Sequence, residues 1–318
     1  MTTFDEENIA MPDLVSPKRI LVATDLNDSE FLIPHAIAQA KASGAMVTLV
    51  HAIQPFEALP AGVVSLDSID WQKSQSDIEI EMIGVAEIIE AAGVSCGVVA
   101  KRGFAADVVQ DQIKTTHATR LIMASHGRGK WGQLMMGSVA NRLLGNVQIP
   151  VFVMGPKSTH VPNHASPRKI LHPVSLDGNY RSGVELAVTL ARNFGAELTL
   201  LHIPDRDLEA SFRPGCTHCW AKSLFAELFP KDASLVQSVK VEVAFGNLAD
   251  EIRKAATRID ADWIVMGAEQ GLPLWPIAEC TAYKVLANAN CPVFVFQSSP
   301  LCVQEEKTNL VRCIAGCA

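Results

Sequence analysis

The chain of 318 residues repeats itself, and the repeat limits the folds open to it. The run from Lys18 to Asp25 returns as Arg168 to Ser175, Val47 to Ile53 as Leu198 to Ile203, and Arg120 to Ala124 as Trp263 to Gly267. Val99 to Asp107 returns as Val243 to Asp250 with one residue fewer, and Pro292 to Phe296 closes the second half as Pro150 to Met154 closes the first. The short, β-branched, largely apolar runs read as parallel strands buried on both faces. The length exceeds one ordinary domain and each half carries its own strand set, so two similar domains are expected, over 17–157 and 168–298. Residues 1–16 read as a loose arm, 158–167 as a linker rich in Pro, Ser, His and Asn, and 299–318 as a polar tail.

Between the strands the apolar spacing turns helical. Ser29 or Asp28 is placed to cap a helix carrying Ile33, Ile37, Ala40 and Lys41, which Gly44 stops. Ile78, Met82, Val85, Ile88 and Ile89 mark a second helix and read as a core stripe. Val108, Val109 and Ile113 mark a third between Ala105 and His117, and Val139, Leu143, Leu144 and Val147 a fourth. Alternation of this kind makes an α/β domain: a five-stranded parallel sheet with right-handed crossovers and helices on both faces. Ligands of such sheets bind outside the carboxyl ends of the strands, where Asp25, Ala52 and the stretch from Ala124 to Ser138 fall.

That stretch carries glycines at 127, 129, 132 and 137 and a hydroxyl at 138, just before a helix. Uncovered N–H groups at a helix start form an anion cradle, and glycine permits the close approach that a Cβ would block. The plainer reading is a strand-to-helix loop whose glycines only make the turn. A P-loop is excluded, because the leading glycine is missing before Gly129-Lys130 and Trp131 stands where a magnesium-binding hydroxyl would be. Lys130 and Arg128 then read as surface charges, with the steadying of phosphates as the alternative. His126 reads as structural for want of a nucleophile or orienting carboxylate, and so do His51 and His202 at equivalent strand ends.

Taken together, these residues resemble the universal stress protein family, in a tandem form with two copies of the family domain. The family's nucleotide loop, Gly-x2-Gly-x9-Gly-Ser/Thr, reads Ala124-x2-Gly127-x9-Gly137-Ser138 here, with alanine for the first glycine. The resemblance implies two Rossmann-like domains of the adenine nucleotide alpha hydrolase-like kind, and ATP or a related adenine nucleotide as cofactor, with or without Mg2+. It places Asp25 on the adenosine, backbone near Ala23 and Ala52 on the adenine edge, and the Gly127 turn with Gly137-Ser138 on ribose and phosphates. The full contact set it implies is Ala23, Thr24, Asp25, Ala52, Ala124, His126, Gly127, Arg128, Gly137, Ser138 and Val139. It implies a stress sensor or adaptor with a protein partner, and no enzyme beyond slow, incidental ATP hydrolysis. The second copy has lost the set: Ser175 stands for Asp25, Gln270 for Gly127 and Cys280 for Gly137, with Pro273 and Pro276 between them. It is expected to hold no nucleotide and to serve as packing partner in an intrachain pseudo-dimer, with a homodimer open.

A formal charge of −7 with no Lys/Arg run argues against a nucleic-acid partner. No apolar segment reaches the roughly 18 residues of a membrane span, so no membrane partner and a cytoplasmic location are expected. Of eight cysteines only Cys96 precedes residue 216, which does not suit a secreted disulfide framework. Cys216 and Cys219, as C-x2-C, offer an alternative function as a thiol- or zinc-dependent redox or metal-binding protein, with His218, Cys313 and Cys317 as further ligand candidates. A lone C-x2-C without its second half is more often adventitious.

Overall fold

A computed structural model describes residues 16–53, 75–125, 137–158, 165–174, 180–204, 239–269 and 281–298. The chain divides into two compact units between Pro156 and Lys157. The first unit runs β1 (Arg19–Ala23), α1 (Ser29–Ser43), β2 (Met46–Ile53), α2 (Gln75–Ala91), β3 (Cys96–Arg102), α3 (Ala105–Thr116), β4 (Arg120–Ala124), α4 (Ser138–Asn146) and β5 (Val151–Met154). The second runs β6 (Lys169–Val174), α5 (Tyr180–Phe194), β7 (Glu197–His202), β8 (Val239–Val243), α6 (Leu248–Ile259), β9 (Trp263–Glu269), α7 (Thr281–Asn288) and β10 (Val293–Ser298).

Within the first unit the strand order is β3-β2-β1-β4-β5, every pair parallel. Within the second it is β8-β7-β6-β9-β10, again parallel throughout. Each unit is a doubly wound, Rossmann-like α/β domain. Its order reverses beside its first strand, and the crevice opens there at the carboxyl ends. Ile20, Leu21, Val22, Leu121 and Ile122 are buried at the centre of the first sheet, matched by Ile170, Leu171, Ile264 and Val265 in the second.

Corresponding positions in the two copies keep the backbone and change the core. Gly103 (φ 151°) and Gly246 (φ 138°) follow β3 and β8 in backbone that L side chains rarely adopt, so both copies need glycine there. In the first copy Leu32 of α1 lies over a sheet that carries Val22; in the second, Gly183 of α5 makes room for His172, whose ring a Cβ on Gly183 would approach to 3.2 Å. Arg120, fully buried at the start of β4, donates to Gln39 Oε1 of α1 at 3.0 Å. Its counterpart Trp263 packs edge-on against Phe194 of α5, ring centroids 4.9 Å apart.

Three local expectations change. Asp28 sits at the N-cap of α1 without capping it through its side chain. The carboxylate turns instead to the Thr24 hydroxyl, while Ser29 Oγ donates to the Leu26 carbonyl at 2.8 Å. Lys41, inside the predicted apolar spacing, is exposed near the helix C-terminus, where a cation complements the dipole. In α2, Ile78, Met82 and Ile89 are buried but Ile88 is not. The helix is apolar on both sides, so spacing alone could not select the inward one.

Candidate functional site

The first sheet opens to solvent at its carboxyl edge. Val22, Leu49 and Met123 are buried, whereas Ala23, Asp25, His51, Ala52 and Ala124 are partly accessible. Ala23 lies opposite Val50 on one side and Met123 on the other, so the chain after β1 emerges between the ends of β2 and β4. The Ser125 carbonyl at the end of β4 accepts the Gly137 N–H at 2.8 Å, which seats the start of α4 beside that edge.

The β1–α1 turn is held by side chains of its own. Asp25 Oδ1 accepts the N–H of Asn27 (3.0 Å) and of Asp28 (3.1 Å). Asp25 Oδ2 has no protein partner among the described residues. The Thr24 hydroxyl accepts the Leu26 N–H at 2.9 Å and donates to Asp28 Oδ1 at 2.5 Å, and Leu26 takes a positive φ of 69° between them. Burial pushes the Asp28 carboxyl up to about 7, with the Thr24 hydrogen bond opposing and the Asp25 charge reinforcing the shift. Asp28 was absent from the expected set. Its signal was a second carboxylate three residues after the first.

His51 Nδ1 donates to the Thr24 carbonyl at 2.9 Å, and His202 Nδ1 does the same to the Val174 carbonyl, also at 2.9 Å. These histidines fasten the second strand of each sheet to the end of the first, the structural role expected of them. Past that fastening, parallel strands alternate the side on which each residue's N–H and C=O point. The Val50 carbonyl meets β1 at Thr24 and the Ile53 carbonyl meets Gly103 beyond β3. The backbone groups of Ala52 therefore point to the β1 side, beyond the last β1–β2 rung at Ala23 and Val50.

Gly137 is the N-cap of α4 with φ −62° and ψ 153°, backbone that any residue adopts. Its glycine is not needed for the turn; it puts no Cβ at the helix start. The first intrahelical bond is Asn141 N–H to the Gly137 carbonyl, 3.0 Å, and no side chain among the described residues caps the end. The N–H groups of Ser138, Val139 and Ala140 are thus unpaired among the described residues and carry the positive end of the helix dipole. On the far side of α4, Arg142 reaches Asp107 of α3 at 2.5 Å, an exposed pair that ties the two helices.

Ala23, Thr24, Asp25, Ala52, Ala124, Gly137, Ser138 and Val139 are therefore all placed at or beside the carboxyl edge of one sheet. His126, Gly127 and Arg128 lie outside the described residues, as do Cys216 and Cys219 with their candidate partners. Of the described thiols, Cys96 is pushed up to about 11 and Cys291 to about 12, each mainly by burial, which keeps both protonated. Cys291 is a small core residue. In the second domain β9 stays paired with β10 through Gly267, Ala268 and Glu269; in the first, Ala124 pairs with Met154 and the Ser125 N–H reaches the Met154 carbonyl at 2.8 Å.

A doubly wound parallel sheet whose strand order reverses beside its first strand is the architecture of the Rossmann-like α/β class. Within that class the chain belongs to the universal stress protein family, whose model matches residues 17–155 and again 167–297. It is similar to universal stress protein A of Yersinia pestis, 28% identical over 139 residues, covering 43% of this chain and 90% of that one. Among solved structures it is similar to a universal stress protein of Archaeoglobus fulgidus, 19% identical with a TM-score of 0.64, covering 88% of this chain and 96% of the other. A universal stress protein solved in complex with cAMP matches 42% of this chain and 99% of its own at 14% identity, TM-score 0.32. No helix among the described residues is long and apolar enough to cross a membrane.

Proposed function

We propose that the first domain binds ATP or a related adenine nucleotide at the carboxyl edge of its sheet, and that the protein acts by binding, as a stress-response sensor or adaptor. The observation that carries this reading is the convergence, on one edge, of a carboxylate oxygen at Asp25 and three N–H groups at the start of α4 that have no partner among the described residues. Asp25 Oδ2 suits ribose hydroxyls, and the N–H groups with the Ser138 hydroxyl suit phosphate oxygens. The backbone N–H and C=O of Ala52 match the donor-acceptor edge of adenine. A bound nucleotide would supply a polyanion whose charge the helix end accepts. Binding rather than turnover is read as its chemistry. The second domain, with Ser175 for Asp25 and an extended β9, is read as empty.

Mass spectrometry of small molecules released from the purified full-length protein, followed by calorimetric titration with ATP, tests the reading. One nucleotide per chain is expected, and Asp25→Ala with Gly137→Val should abolish binding while the circular dichroism stays unchanged. Unaltered ATP affinity in that variant would refute the site, and two nucleotides per chain would refute the empty second domain.

A further inference from the structure

Helix α2 breaks the rule by which a surface helix hides one apolar face. Ile78, Met82, Ala86 and Ile89 form its buried ridge. Ile80, Ile83 and Ile88 are 67%, 51% and 58% exposed. At about 100° per residue these isoleucines share the opposite face with Gly84, Glu87 and Ala91. Isoleucine is a poorer helix former than alanine or leucine, so the outer face gains nothing in helix propensity from them. Gly84, at the middle of the exposed face, also weakens the helix, and a Cβ added there would meet no atom within 4 Å. It is a bare notch between isoleucines.

The charge on this helix selects what can cover the face. Asp77, Glu79, Glu81, Glu87 and Glu90 lie along it, with no Lys, Arg or His between Gln75 and Ala91. By the same wheel, Glu81 flanks one edge of the isoleucine stripe and Glu90 the other. A second copy of the helix would set like charges against each other, and an anionic lipid surface or a nucleic acid would be repelled. An apolar stripe between rows of lysine or arginine would match both the surface and the charge.

We propose that the outer face of α2 is a docking surface for a cationic amphipathic helix of a partner protein. Its apolar anchors seat around Gly84 between Ile80, Ile83 and Ile88, and its Lys or Arg side chains pair with Glu81, Glu87 and Glu90. The surface lies outside the nucleotide-site residues and does not depend on whether ATP binds.

The probe is a fluorescein-labelled Leu/Lys helix of about 18 residues with leucines at amphipathic spacing, and its anisotropy is read on the full-length protein. A scrambled peptide of the same composition and phosphatidylglycerol vesicles are run in parallel. The amphipathic peptide should bind, and more weakly as salt rises. Ile80→Ser with Ile83→Ser and Ile88→Ser should weaken it by about tenfold or more, since these side chains supply the buried apolar area. Gly84→Gln, which favours the helix and so keeps the fold, should also weaken binding by filling the notch. Equal binding of the scrambled peptide, or affinity unchanged by both variants, overturns the proposal. So does a homodimer in sedimentation, or vesicle binding, that the isoleucine variant abolishes, because the face then belongs to a second copy or to lipid.

Discussion

Replacing Asp28 by asparagine should stabilise the first domain at pH 8 and leave it almost unchanged near pH 4. In the unfolded chain this carboxyl ionises near 3.8; in the fold it is pushed up to about 7, chiefly by desolvation. Between those values the folded protein keeps a proton that the unfolded chain has released, so stability falls as pH rises through the window and levels off above it. At about 1.4 kcal/mol per pH unit the ceiling is near 4 kcal/mol. Water reaching a partly accessible carboxylate brings the expected effect nearer 2 kcal/mol. Asparagine retains Oδ1 as acceptor for the Thr24 hydroxyl, bonded at 2.5 Å in the wild type, and carries no charge to desolvate. Scanning calorimetry of the full-length protein at pH 5 and pH 8 is the assay. The wild-type first-domain transition should drop by roughly 4–10 °C between them, and that of Asp28→Asn should not. If the variant is no more stable than wild type at pH 8, or keeps the same pH slope, the carboxylate is already charged in the fold and the argument fails.

The second domain should respond to acid with the opposite sign. His172 is pushed down to about 4 by burial, its bond to the Val265 carbonyl (2.7 Å) opposing, so the stability present above pH 6.5 is lost as pH falls toward 4, by at most about 3 kcal/mol. Urea midpoints of this domain that stay flat from pH 7 to 4.5 would contradict the shift. Gly183→Ala would place a Cβ 2.9 Å from the Phe296 ring and 3.2 Å from His172, and should lower second-domain stability by about 1–3 kcal/mol despite the better helix former. A raised melting temperature would show that the ring yields freely.

Much of this was readable in the chain. The span of β4, the repeat and the fastening histidines follow from apolar period and position, because a strand buried on both faces writes a continuous apolar run. The placement of the described candidate residues at the carboxyl edge followed from topology, since the crevice of a parallel α/β sheet lies where the strand order reverses. Less legible were features that turn on side-chain direction. The sequence offered Ser29 or Asp28 as a cap, and the fold sends the Asp28 carboxylate to Thr24, with Leu26 in a left-handed turn between them. In α2 an apolar residue on each side erased the periodicity that distinguishes inside from outside. Nothing in the sequence marks Arg120, at a strand start, as buried, and only the packing of α1 shows it bonded to Gln39.

That buried pair has a consequence for how the chain assembles. Tandem copies of one fold can misfold by exchanging equivalent pieces, α1 settling on the sheet made for α5 or the reverse. With α5 on the first sheet, Leu190 would face Arg120 where Gln39 belongs, and a guanidinium out of water would lose its amide. With α1 on the second, Ser43 would replace Phe194 against the Trp263 ring and leave a void. Each sheet thus rejects the other's helix, and divergence inside the cores gives the two halves separate identities while they fold.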